Sequence, residues 1–144
     1  MHFITGGAFN GKSRWVIEHY ELNDPTYLWI SAYEGMSIPA HTDNWIDIVI
    51  LEGLEKWIQE WSSQLSSHEV RENWRSFLQI WLKWEKESEQ RKLILIGTDL
   101  SKGIVPMIAE ERKWRDVTGW VYQDVAASAE KFDLIWYGIS QKIK

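Results

Sequence analysis

A chain of 144 residues, 44% hydrophobic and 26% charged, has the length and balance of one globular domain with a proper core. Its net charge of −5 argues against a nucleic-acid surface, and no apolar run approaches the roughly 20 residues of a membrane helix. The absence of cysteine excludes disulfides, thiolate metal sites and a cysteine nucleophile; with no signal-peptide pattern in MHFITGG, the expectation is a cytoplasmic protein with neither nucleic acid nor membrane as partner.

In chain order, residues 2–5 form a short apolar run that feeds into glycines and predict a first strand. Residues 13 to about 21 follow as a helix, stopped by Asn23, Asp24 and Pro25. TYLWISA, residues 26–32, predicts a second, fully buried strand, and YEGMSIPAHTDN a loop with Gly35 and Pro39 as breakers. WIDIVILEG, residues 45–53, is a third strand with an acid at its end. Residues 54–65 read as a helix carrying Trp57 and Trp61. Ser66 to Glu69 has the spacing of a capping box and opens a helix to about residue 89, with Trp74, Phe77, Leu78 and Trp81 in one apolar stripe.

KWEKESEQRK is read as a solvated face and turn, KLILIGTD (residues 92–99) as a fourth strand, and residues 110 to about 131 as a helix. FDLIWYGISQKIK closes the chain as two short strands around Gly138. Continuous apolar strands alternating with helices predict an α/β fold with a mainly parallel sheet and a C-terminal β-hairpin. The eleven tryptophans supply large buried area for the core and subunit contacts, with stacking on a flat ligand as the alternative use.

The run Gly6, Gly7, Ala8, Phe9, Asn10, Gly11, Lys12, Ser13 satisfies G-x-x-x-x-G-K-[ST]. A strand runs in and a helix runs out, as a phosphate-binding loop requires and an accidental glycine-rich turn does not. In such a loop the backbone N–H groups and the helix N-terminus face the phosphates. Lys12 then reaches the β- and γ-phosphates of ATP or GTP, and Ser13 offers its hydroxyl to Mg²⁺. Magnesium also wants an acid at the end of a neighbouring strand. Glu52 stands there, although a helix N-terminal acid facing the dipole is its plainer reading. Asp47 enters the third strand and falls at the wrong edge; Asp99, after LILIGT, shares the right one.

The loop TGGAFNGKSRW, together with GIVPMIAEERKWRDVTGWVYQDVAASAEKFDLIWYGISQKIK, resembles the adenosylcobinamide kinase/adenosylcobinamide-phosphate guanylyltransferase family of cobalamin biosynthesis. Gly103 to Pro106, Arg115, Asp116, Gly119, Gln123, Ala126, Ala127, Gly138 and Ile139 carry the match at the C-terminal end. The resemblance implies a P-loop NTPase domain of RecA-like, three-layer form that assembles as a trimer. It implies phosphorylation of a corrinoid side-chain hydroxyl, then GMP transfer through a guanylylated histidine. Gly6 through Ser13 are implied to hold the nucleotide phosphates, Ser31, Ala32 and Tyr33 to contact the nucleotide, and Glu52 to be the acid after the third strand.

Three departures accompany the match. The segment holding the family's nucleophilic histidine is shorter, keeping only Ile38 and His41 of its pattern, with Pro39 inside it. Trp120 and Tyr122 stand where the family has arginine and asparagine, and Asn10 replaces a loop serine. The resulting expectation is a kinase with Lys12, Glu52 and His41 as candidate catalytic residues. A bifunctional enzyme using His41 and a non-catalytic nucleotide-binding protein are the alternatives.

Overall fold

The computed structural model describes residues 1–23, 26–40 and 46–144. Its strands are β1 (His2–Gly6), β2 (Tyr27–Ser31), β3 (Ile48–Glu52), β4 (Lys92–Thr98), β5 (Lys131–Trp136) and β6 (Ile139–Lys142). Its helices are α1 (Lys12–His19), α2 (Leu54–Ser62), α3 (Ser67–Lys86) and α4 (Ala109–Ser128), with a short 3₁₀ turn at Ala32–Glu34. One six-stranded sheet runs in the order β2-β3-β4-β1-β5-β6, parallel throughout except for the terminal β5–β6 hairpin.

Central position explains the apolar runs. All five residues of β1 are buried between β4 and β5, and β4 buries Leu93 through Gly97, as strands covered on both faces must. The expectation of a fully buried second strand is corrected: among the described residues β2 pairs only with β3, and Tyr27, Leu28 and Trp29 are half-buried. Aromatic and apolar richness marks β2 as a strand but cannot distinguish a central strand from an edge one, because an aromatic ring suits a half-covered surface equally well.

Helices cover both faces, giving three layers. On one face Phe3, Val49, Leu51, Leu93 and Leu95 meet Trp57, Trp74, Trp81 and Trp84 from α2 and α3, with Val117, Val121 and Val125 from α4. The predicted stripe of α3 is this buried surface, and its capping box forms between Ser66 and Glu69. Arg71 donates to both carboxylate oxygens of Asp124 at 2.8 Å, tying α3 to α4. On the other face Ile4, Ile50, Ile94, Ile96 and Ile135 pack with Val16 of α1 and with Leu22. Among the described residues, no helix is long and apolar enough to cross a membrane.

The register brings the ends of four strands to one edge, with Gly6 opposite Thr98 and Ser31 opposite Glu52. Asp47 lies at the opposite edge, where its carbonyl accepts the Lys92 N–H at 2.7 Å.

Candidate functional site

The glycine loop leaves β1 at Gly6, where φ is 152° and a Cβ would lie 2.2 Å from the Ile135 carbonyl oxygen. Only glycine lets the strand end run this close to β5. Phe9 crowns the loop, fully exposed, with φ 58°. Asn10 holds the loop to the end of the chain. Its backbone carbonyl accepts the Gly138 N–H at 2.8 Å and its side-chain Oδ1 accepts the Tyr137 N–H at 3.2 Å. Tyr137 and Gly138 form the β5–β6 turn, both left-handed (φ 51° and 73°), as a type I′ hairpin turn demands. The loop is thus tied to the last hairpin of the chain.

Lys12 opens α1 and is buried, its Nζ donating to the carbonyls of Gly7 at 2.8 Å and Gly6 at 3.3 Å. Burial lowers its pKa, and the carboxylates of Glu55 and Glu52 oppose that shift. Next to it, Ser13 Oγ donates to Glu52 Oε1, while Trp29 Nε1 donates to Glu52 Oε2 at 2.9 Å. A hydroxyl and a carboxylate from different elements therefore meet at the start of α1. Both are hard oxygen donors of the kind Mg²⁺ takes, and that ion uses one or two carboxylates with phosphate and water rather than a protein cage. Among the described residues no cluster of three or more His, Cys, Asp or Glu forms such a cage. The donor set fits magnesium bound with a nucleotide.

Asp99 has the right edge but other partners. Its Oδ1 accepts the Ser101 N–H at 2.8 Å and the Ser101 hydroxyl at 2.5 Å.

A second carboxylate, absent from the sequence reading, lies in the same place. Glu55, in the first turn of α2, is 3% exposed. Its Oε1 accepts from Tyr33 Oη, and its Oε2 accepts the Thr98 N–H at 2.9 Å and Tyr122 Oη at 3.2 Å. Tyr122 also reaches the Thr98 carbonyl at 2.9 Å. Gly97 makes room for it: a Cβ there would meet the Tyr122 hydroxyl at 2.1 Å. Burial and the Glu55 charge push the pKa of both phenols up, so both stay protonated as donors. Tyr122 thus has a built function as a partner of Glu55. The sequence signal was slight: an acid three residues after Glu52, facing a helix N-terminus.

Loop residues 8–14 line a cleft of about 530 Å³ with Tyr33, Glu52, Glu55 and Thr98. Ser31, buried at the end of β2, and Ala32 lie outside this lining, and Trp120 is exposed on α4. His41 lies outside the described residues.

Comparison with known proteins gives two findings. The family model for cobinamide kinase/cobinamide phosphate guanyltransferase (CobU) matches residues 16–143. The bifunctional adenosylcobalamin biosynthesis protein CobU of Escherichia coli (strain K12) is 25% identical over 186 aligned residues, which cover 100% of this chain and 99% of that protein. An alignment longer than this 144-residue chain means that the relative has segments without counterpart here. The family match begins after the glycine loop, so the loop motif and the family match are separate observations. They agree: the chain is a divergent, shortened member of the cobinamide kinase/cobinamide phosphate guanyltransferase family.

Proposed function

We propose that residues 1–144 act as one P-loop kinase domain that moves the terminal phosphoryl group of ATP or GTP onto a side-chain hydroxyl of a corrinoid. The observation behind this reading is the convergence of Lys12, Ser13 and Glu52 on one cleft at the C-terminal edge of the sheet. Phosphoryl transfer asks for positioning and charge neutralisation more than covalent chemistry. The loop amides from Gly6 to Ser13 and the N-terminus of α1 cradle the phosphates. Lys12, a short reach from its loop carbonyls, places its ammonium against the β- and γ-oxygens. Ser13 and Glu52 would hold Mg²⁺, which when bound would supply charge neutralisation to the phosphates. Tyr33, which lines the cleft, contacts the nucleotide together with Ser31 and Ala32 at the end of β2. The acceptor oxygen forms a bond to the γ-phosphorus as the bridging bond to the β-phosphate breaks, releasing nucleoside diphosphate and one proton to water.

The test is incubation with adenosylcobinamide and Mg·ATP or Mg·GTP, with phosphorylated corrinoid read by mass spectrometry. Lys12→Ala should lower product formation about 10²–10³-fold, the usual cost of one preorganised charge-stabilising donor. Nucleotide binding without product identifies a non-catalytic binding protein instead.

The relative's description as bifunctional and the family's as kinase and guanyltransferase support a second step, guanylyl transfer, for which His41 is the candidate nucleophile. Neutral imidazole is a competent nucleophile at neutral pH. Labelled GTP should then leave an acid-labile adduct that disappears in His41→Ala; no adduct, or one that persists in the variant, removes this step.

A further inference from the structure

Trp29 differs from the tryptophans of the helical layer in what its indole touches. Trp57, Trp81 and Trp114 donate their N–H groups to backbone carbonyls. Trp29, half-buried on the edge strand β2, donates to the side-chain carboxylate of Glu52 at 2.9 Å. Its ring already has packing on the isoleucine face and an edge contact with Tyr27, centroids 6.5 Å apart. Phenylalanine would satisfy that packing. Among the described residues, the N–H donates to Glu52.

We propose that Trp29 is a positioning residue for the metal-binding carboxylate: its N–H pins Glu52 Oε2, so that Oε1 stays turned to Ser13 at the mouth of the loop. The inference rests on Ser13 and Glu52 being the magnesium-binding pair proposed above. An indole suits the task because it only donates and carries no charge. It fixes the carboxylate's rotation while leaving the negative charge available to a cation; a lysine or arginine in its place would neutralise that charge. Partners standing behind a metal ligand in this way are worth 10–100-fold in metal affinity.

The test compares ADP affinity in Mg²⁺ and in EDTA by calorimetry, for the wild type and for Trp29→Phe. Removing the N–H should weaken ADP binding about tenfold in Mg²⁺ and by less than about twofold in EDTA. A merely structural role would lower both affinities together. In wild-type protein with ¹⁵N-labelled tryptophan, the Trp29 indole resonance, assigned by its loss in Trp29→Phe, should shift when Mg²⁺ joins the ADP complex. If Trp29→Phe does not fold, Trp29→Tyr serves for both the comparison and the assignment. An unchanged ratio of Mg²⁺ to EDTA affinity in the variant, or an indole resonance that Mg²⁺ leaves in place, overturns the role of Trp29 alone. A wild-type affinity indifferent to Mg²⁺ overturns the Ser13–Glu52 metal pair, and this inference with it.

Discussion

The two faces of the sheet are built differently. One carries α2, α3 and α4, the last two of 20 residues each, and buries four tryptophans at 9% exposure or less. The other carries α1, of 8 residues, over a row of isoleucines. Packing area is concentrated on the first face. The second instead keeps polar side chains in hydrogen-bonded groups of three: His2 with Tyr20 and Asp133, Glu52 with Ser13 and Trp29. The thick layer holds the sheet in shape, and the thin one leaves room at the strand ends for a loop with a charge to place. Stability and ligand binding should therefore respond to different residues.

The strongest test of that division is Trp81→Ala. The ring is 1% exposed, and its removal should cost about 3–5 kcal/mol in urea unfolding while the folded fraction keeps its nucleotide affinity. A parallel loss of affinity would mean that the faces are not separable. Glu55→Ala comes next, because this residue belongs to the thick layer yet reaches the cleft. Tyr33, Tyr122 and the Thr98 amide would lose their acceptor, at about 2 kcal/mol. Here, unlike Trp81→Ala, nucleotide binding should weaken with stability. Asn10→Ala removes the side-chain acceptor of the Tyr137 N–H, a bond worth about 1 kcal/mol. Faster hydrogen exchange at that amide, with the urea midpoint nearly unmoved, would place the effect in the loop and hairpin.

The smallest effects separate the faces by pH. On the thin face burial holds His2 below its ordinary value of 6.5, against the opposing Asp133 hydrogen bond. The unfolded chain then binds more protons, so stability should fall as pH drops below 6.5. On the thick face Arg71 and Arg75 hold Asp124 at about 2 rather than 3.8. Its contribution is full above 3.8 and lost as pH falls toward 2. The pair is partly exposed, so about 0.5–1 kcal/mol is expected. His2→Gln should flatten the upper window only, and Asp124→Asn the lower one only.

What could be read from the chain was local. The glycine run, the capping box at Ser66, the α3 stripe and the strand-ending Glu52 each depend on neighbours within a few positions. Their elements match expectation to within a few residues, although β3 begins at Ile48 and α3 ends at Lys86. Strand order was not legible, because it is set by pairings such as His2 with Ile94. The second carboxylate escaped notice for the same reason: Tyr33, Glu55, Thr98 and Tyr122 are brought together only by the sheet. The role of Trp29 is not legible either, since an aromatic residue in a strand does not reveal where its N–H will point.

The tie between Asn10 and the final hairpin has a consequence for biosynthesis. His2 opens a strand whose flanking partners begin at Lys92 and Lys131, and the loop's own anchor is Gly138. At about 5–20 residues per second, roughly 7–27 seconds separate the emergence of the first strand from that of its last support. Through that interval the nascent chain holds an unpaired apolar strand and an unanchored glycine run. The glycine run is thus anchored only once Gly138 has emerged, in one step with closure of the sheet.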